Sequence, residues 1–187
     1  MFTKNSLGAV FLSAGSVAYY FETYDILYYI LYICMFEFAF NNFRYQKGVF
    51  NVVDWIIFYV LASLIDNFTV LRRLETGRII LYSNISDGIQ QVVGKRWGKY
   101  RIVKSLSPNK TLEGYIGGFL GMLLISYISG ISIVYYFTGI VGDLMSSYSK
   151  RNLGIKDWSF LLGSHGGFLD RFNSSILGLK YSFLLYK

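Results

Sequence analysis

One proline, one cysteine and one histidine in 187 residues set the first limits on this chain. Proline is the residue that a helix interior tolerates least. With Pro108 alone, nearly every stretch is free to be helical. Cys34 sits unaccompanied in an apolar run, so no disulfide and no cysteine-based zinc site forms within one chain. His165 is also alone, which excludes any site needing two histidines from one chain. Acidic residues are scarce as well: 11 Asp and Glu stand against 18 Lys and Arg, for a formal net charge of +7. What the chain does have is apolar. Hydrophobic residues make up 53% and aromatics 19%, with a mean hydropathy of +0.40. A soluble domain rarely carries so much apolar surface. The chain reads as a membrane protein. Its positive charge lies between hydrophobic segments, where it serves topology, anionic lipid and phosphate binding, and no basic soluble domain for nucleic acid is visible.

In lipid the backbone must satisfy its own hydrogen bonds, so apolar runs are expected to be helices. The candidate spans are 6–21, 26–41, 52–70, 78–93, 113–129, 131–149 and 171–187. Several fall short of the ~20 residues that cross a hydrocarbon core. The expected fold is therefore all-α and polytopic, with about seven (roughly five to eight) transmembrane or re-entrant helices. The first run follows Lys4, but the bulky Tyr19-Tyr20-Phe21 and six further apolar runs favour a retained helix over a signal peptide. No linker or repeat divides the chain. It reads as one domain, with N-terminal membrane helices over 1–77 and a catalytic membrane region over 78–187.

Two polar loops, 94–112 and 150–170, flank the runs split at Gly130. Those runs predict a helical hairpin, which returns the chain to the side it left. The first loop holds six of the 18 basic residues, so both loops are placed on the cytoplasmic side. Arg72, Arg73 and Arg78 resist this scheme, because they lie one crossing earlier.

Charges inside apolar runs mark function by default. Asp87 interrupts 78–93 beside Asn84, Ser86, Gln90 and Gln91. Asp143, Ser147 and Lys150–Arg151 share one face at helical spacing, which suits a metal-bound polyphosphate; an ordinary charged helix end is the plainer reading. The string His165-Gly166-Gly167-Phe168-Leu169-Asp170-Arg171 lets the backbone pass close to a ligand or take positive φ, or it is a plain turn. Asp143 and Asp170 together offer Mg²⁺ the oxygen ligands it prefers. Ser107-Pro108-Asn109-Lys110-Thr111 puts Lys110 and Thr111 at a helix start, where phosphate binds. It is not a Walker loop, since the glycines follow the lysine. Gly114, Gly117, Gly118 and Gly121 are expected to let helices pack closely.

These residues resemble the phosphatidate cytidylyltransferase (CDP-diglyceride synthetase) family. The stretch from Ser147 through Lys150-Arg151, Lys156-Asp157, Ser159, Leu162-Gly163 and His165-Gly166-Gly167-Phe168 to Asp170-Arg171 is similar to its C-terminal signature. Gly142-Asp143-Leu144, Ser107 through Gly114, and Asp87 with Gly94-Lys95-x-Trp97-Gly98-Lys99 fit the family too. The resemblance implies transfer of CMP from CTP to phosphatidate, giving CDP-diacylglycerol and pyrophosphate. It also implies Mg²⁺ on Asp143 and Asp170, with Asp157 as a further ligand or orienting carboxylate, and a homodimer. Lys110, Lys150, Arg151, Lys156 and Arg171 would then meet triphosphate oxygens and the lipid phosphate. Ser107, Thr111, Ser147 and His165 would serve as donors around them, with Asp87 on the substrate side. Glu37 resembles a glutamate of the family's early helices. Two departures stand out: Asn173 replaces the second aspartate of Asp-Arg-x-Asp, and Ser149 replaces an apolar residue at what is expected to be a helix surface. The rival readings are a CTP-dependent enzyme acting on another lipid, an inactive partner subunit, and an ion-coupled transporter.

Overall fold

A computed structural model describes residues 24–45, 50–67, 76–163 and 166–185. The predicted 6–21 helix, Arg72, Arg73 and His165 lie outside the described residues. Within them the regular elements are six α-helices: α1 (Tyr24–Tyr45), α2 (Val52–Asp66), α3 (Thr76–Trp97), α4 (Leu112–Ser129), α5 (Val134–Asn152) and α6 (Phe168–Leu185). The all-α expectation holds for them. Among the described residues, α4 is the one helix long and apolar enough by itself to cross a membrane.

Each helix follows a predicted run, and the ends are shifted for local reasons. α2 opens on a capping box in which Asn51 accepts from the Asp54 N–H and Asp54 accepts from the Asn51 N–H. α3 runs on to Trp97, past the predicted 93, so Lys95 and Arg96 form its last turn and not a loop. Cations there complement the helix dipole. α4 ends at Gly130, whose φ of 70° places it in the left-handed region that glycine adopts without strain. Beyond that turn α5 meets α4 through long side chains, the Tyr136 hydroxyl donating to the Tyr115 carbonyl. At the start of α3, Arg78 donates to the Ser129 carbonyl at 2.8 Å. It therefore sits with the C-terminal end of α4, away from the 98–111 loop, and a cation at a helix C-terminus explains its departure from the charge pattern.

The core joins the first and last of the described helices. Leu31, Cys34 and Phe38 of α1, Leu61 and Leu64 of α2, and Leu169 and Leu179 of α6 form one buried cluster around Trp158. A second cluster of Tyr82, Met122 and Tyr136 ties α3, α4 and α5. The glycine series of α4 faces α3 as expected. A Cβ on Gly114 would lie 2.7 Å from the Gln90 carbonyl oxygen, and one on Gly118 would lie 2.5 Å from Gln90 Cγ. Gly114→Ala should therefore lower the thermal midpoint in detergent, at a cost of about 1–3 kcal/mol from overpacking. Gly88→Ala, whose Cβ meets nothing within 4 Å, should leave the midpoint unchanged or raise it. Equal midpoints for the two variants would contradict the close α3–α4 contact.

Candidate active site

The polar residues gather where α5 and α6 run antiparallel. Gly142 lets the helices approach, because a Cβ there would collide with the Asn173 carbonyl. Two side-chain pairs then cross the seam. Lys150 Nζ bonds Asp170 Oδ1 at 2.6 Å. One turn further along α6, Asn173 Nδ2 donates to Asp143 Oδ1 at 3.0 Å. Asn173 Oδ1 accepts from the Ser174 N–H at 2.7 Å, which fixes the amide nitrogen toward Asp143.

Lys110 enters this seam from the 98–111 loop. That loop is closed by an Arg101–Thr111 bridge, by the Leu112 N–H on the Tyr100 carbonyl (2.8 Å), and by the Tyr100 N–H on the Glu113 carboxylate. The turn that aims Lys110 has Pro108 at its second position, with the Lys110 N–H on the Ser107 carbonyl at 3.2 Å. Lys110 Nζ lies 3.3 Å from Asp87 Oδ1, 3.3 Å from Asp143 Oδ2 and 3.4 Å from Gln90 Oε1. Burial disfavours the ammonium, but Asp87 and then Asp143 outweigh it and hold its pKa above the usual lysine value. One cation is thus shared by two acidic side chains.

Asp170 carries more than Lys150. Its Oδ2 accepts from the Trp158 N–H (2.7 Å) and the Gly167 N–H (3.0 Å), folding the 155–163 segment onto the start of α6. Gly166 takes the expected positive φ, 81°. Arg151 donates to the carbonyls of Leu106 (3.3 Å) and Ile155 (3.1 Å), tying the two polar loops together. Lys156 and Arg171 are exposed, Asp157 and Ser107 are half-buried, and Ser147 is buried on α5.

The geometry gives the predicted residues their partners and corrects one expectation, the placement of Ser149. Asp143 and Asp170 are each engaged by a lysine, Lys110 and Lys150 respectively, and Asn173 is a further partner of Asp143. No group of three His, Cys, Asp or Glu able to hold a metal occurs among the described residues. Thr111 is the N-cap of α4, its hydroxyl accepting from the Gly114 N–H at 3.1 Å. The first amides of α6 are likewise filled, by Glu37. These two helix starts are thus capped by side chains of the protein itself. Ser149 is not at a helix surface. It is fully buried, and its hydroxyl donates to the equally buried Asp54 carboxylate of α2. Sequence reasoning named Asp87 from its apolar surroundings and Glu37 from the family resemblance, but left Glu37 out of the site and missed Gln90 as an oxygen on Lys110.

An all-helical bundle that converges lysines, arginines and separated carboxylates on two polar loops has the makings of a phosphate-handling enzyme of the nucleotidyltransferase kind. The family model described as "Cytidylyltransferase family" matches residues 6–187, and the chain belongs to that family. It is 28% identical over 181 residues to the phosphatidate cytidylyltransferase of Aquifex aeolicus (strain VF5), covering 90% of this chain and 68% of the relative. It is 35% identical over 152 residues to the phosphatidate cytidylyltransferase of Staphylococcus aureus (strain COL), covering 72% of this chain and 57% of the relative. A Staphylococcus epidermidis (strain ATCC 12228 / FDA PCI 1200) protein of the same name is 34% identical over 152 residues, again 57% of its length. The chain thus spans little more than half the length of its staphylococcal relatives.

Proposed function

We propose that this chain transfers CMP from CTP to phosphatidate, in a membrane, to give CDP-diacylglycerol and pyrophosphate. The observation that carries the reading is the Lys110 ammonium, shared between Asp87 and Asp143 beside two polar loops that Arg151 ties together. In this reaction a phosphatidate oxygen forms a bond to the α-phosphorus of CTP, and the bond from that phosphorus to the bridging oxygen breaks as pyrophosphate leaves. A phosphate monoester is already anionic at neutral pH, so no strong base is needed. Catalysis rests on positioning and charge neutralisation. Lys110, Lys150, Arg151, Lys156 and Arg171 supply cations for the triphosphate and the lipid phosphate. Ser107, Ser147 and His165 are donors, and Asp157 orients the loop that bears Lys156.

The donor set fits Mg²⁺ in kind. Asp143 and Asp170 offer hard carboxylate oxygens, and Asp170 lies one helical turn from Asn173, which itself bonds Asp143. When bound, the ion would neutralise triphosphate charge. Lys110 and Lys150, which now balance these carboxylates, would be free to turn toward phosphate oxygens. Asn173 brings no charge to the site where an aspartate would bring one.

The membrane setting is supported by the outward face of α4, where Ile116, Leu120, Leu124 and Tyr127 are exposed, and by Tyr29, Phe36 and Phe43 on α1. Multiple crossings, a cytoplasmic site and a homodimer belong to the same proposal. The basic residues Lys95, Arg96, Lys99 and Arg101 are suited to attract anionic lipid. Neutralising them should raise the KM for phosphatidate more than it lowers kcat, and the opposite pattern would contradict that role.

The test is radiolabelled CTP with phosphatidate and Mg²⁺ on detergent-purified protein, with EDTA as control. Mg²⁺-dependent label in a lipid migrating as CDP-diacylglycerol is the expected result. Absence of a lipid product from folded protein would overturn the proposal.

A further inference from the structure

Glu37 sits within α1, only 3% exposed, in the apolar run Met35-Phe36-Glu37-Phe38. A carboxylate in such surroundings is costly unless its oxygens are satisfied. They are satisfied far along the chain. Oε1 accepts from the Ser159 hydroxyl at 2.5 Å and the Phe168 N–H at 3.1 Å, and Oε2 accepts from the Leu169 N–H at 2.8 Å. One turn later Asn41 donates to the Trp158 carbonyl at 2.5 Å, and the Phe38 ring lies 5.2 Å from the Trp158 ring. Gly167 makes room for this contact, since a Cβ there would stand 2.6 Å from Glu37 Oε2.

Helices are usually capped by a residue at their own start. Here α6 is capped from α1, and the same carboxylate holds Ser159. Those two attachments bracket the segment that Asp170 folds with its bonds to Trp158 and Gly167. We propose that Glu37 is a positioning residue for the site: it fixes the start of α6 and the Trp158–Ser159 turn, and so keeps the Asp170–Lys150 pair in register. The consequence for turnover rests on the proposed cytidylyltransferase reading; the consequence for the turn does not.

Glutamine at position 37 keeps one acceptor oxygen and aims an amide N–H at a donor, either Leu169 on one side or Ser159 and Phe168 on the other. The experiment uses the full chain with Trp55→Phe and Trp97→Phe, so that emission reports Trp158 alone. Glu37→Gln should lower kcat by about 10- to 100-fold, the loss expected when reacting groups are displaced by about 1 Å. KM for CTP and phosphatidate should stay within about threefold. Trp158 emission should shift to the red as its turn loosens. Ser159→Ala, which removes one of the three donors, should show the same pattern more weakly, and it carries both readouts if Glu37→Gln does not fold. Unchanged kcat with a lower thermal midpoint would make Glu37 a structural staple and overturn the proposal. So would a loss of kcat with unshifted Trp158 emission. A parent protein inactive on CTP and phosphatidate would overturn the proposed function, while the emission shift would still decide whether Glu37 sets the turn.

Discussion

Lys110→Met should lower turnover by about 100- to 1000-fold, the loss seen when a preorganised charge-stabilising group is removed. The same change should destabilise the fold. Asp87 and Asp143 approach one another only because the Lys110 ammonium lies 3.3 Å from each. Breaking a buried ion pair by removing one partner costs about 3–5 kcal/mol, and because Asp87 is 34% exposed the expected cost here is about 2–4 kcal/mol. The two effects separate in a double variant. Lys110→Met with Asp87→Asn removes one charge of each sign, so the thermal midpoint should recover toward that of the parent. Turnover should not recover, because the cation that meets phosphate is still missing. Retention of turnover within tenfold in Lys110→Met would remove Lys110 from the mechanism. The pH dependence has a definite sign. The pKa of Lys110 is raised by its carboxylates, so its contribution to stability is present in full below the ordinary lysine value of about 10.4 and is lost only as pH rises through the raised value. Neutral and mildly alkaline buffers should leave this cluster charged.

The helices were legible because apolar runs bounded by polar loops leave few alternatives, and each span from 26 onward contains one helix among the described residues. The glycine series of α4 was legible for the same kind of reason: four small residues at helical spacing have one common use, close packing. Which side chains meet across the bundle was not legible. In α4 the buried Gly118 and Met122 and the exposed Leu120 and Leu124 all belong to one uniformly apolar segment. A helix whose outer face is as apolar as its inner face gives no periodic signal for its rotation. Ser149 shows the consequence. Nothing local distinguishes it from a surface serine, and only the rotation of α5 against α2 brings it to Asp54. Asn173 reads in sequence as a lost carboxylate. In the fold it is a donor that occupies an oxygen of Asp143, a role set by the register of α5 on α6.

Asp170→Asn should lower turnover by a similar factor of about 100 or more while leaving the fold of the loop in place. The argument rests on how Asp170 divides its oxygens. Oδ2 takes the Trp158 and Gly167 N–H groups, and Oδ1 takes Lys150. An asparagine can keep its carbonyl oxygen on the two backbone donors, but its amide nitrogen then faces the Lys150 ammonium, donor against donor. The loop survives and the charge pairing does not. Asp170→Ala loses both functions: it frees two backbone donors and leaves Lys150, whose side chain is only 10% exposed, without its carboxylate. It should therefore be less stable than Asp170→Asn by about 1–3 kcal/mol, the cost of leaving buried polar groups unsatisfied. Thermal midpoints in detergent rank the two variants, and turnover should be lost in both. If Asp170→Asn turns over like the parent, Asp170 serves only to fold the loop. The carboxylates left to hold Mg²⁺ would then be Asp87 and Asp143, already drawn to one cation by Lys110.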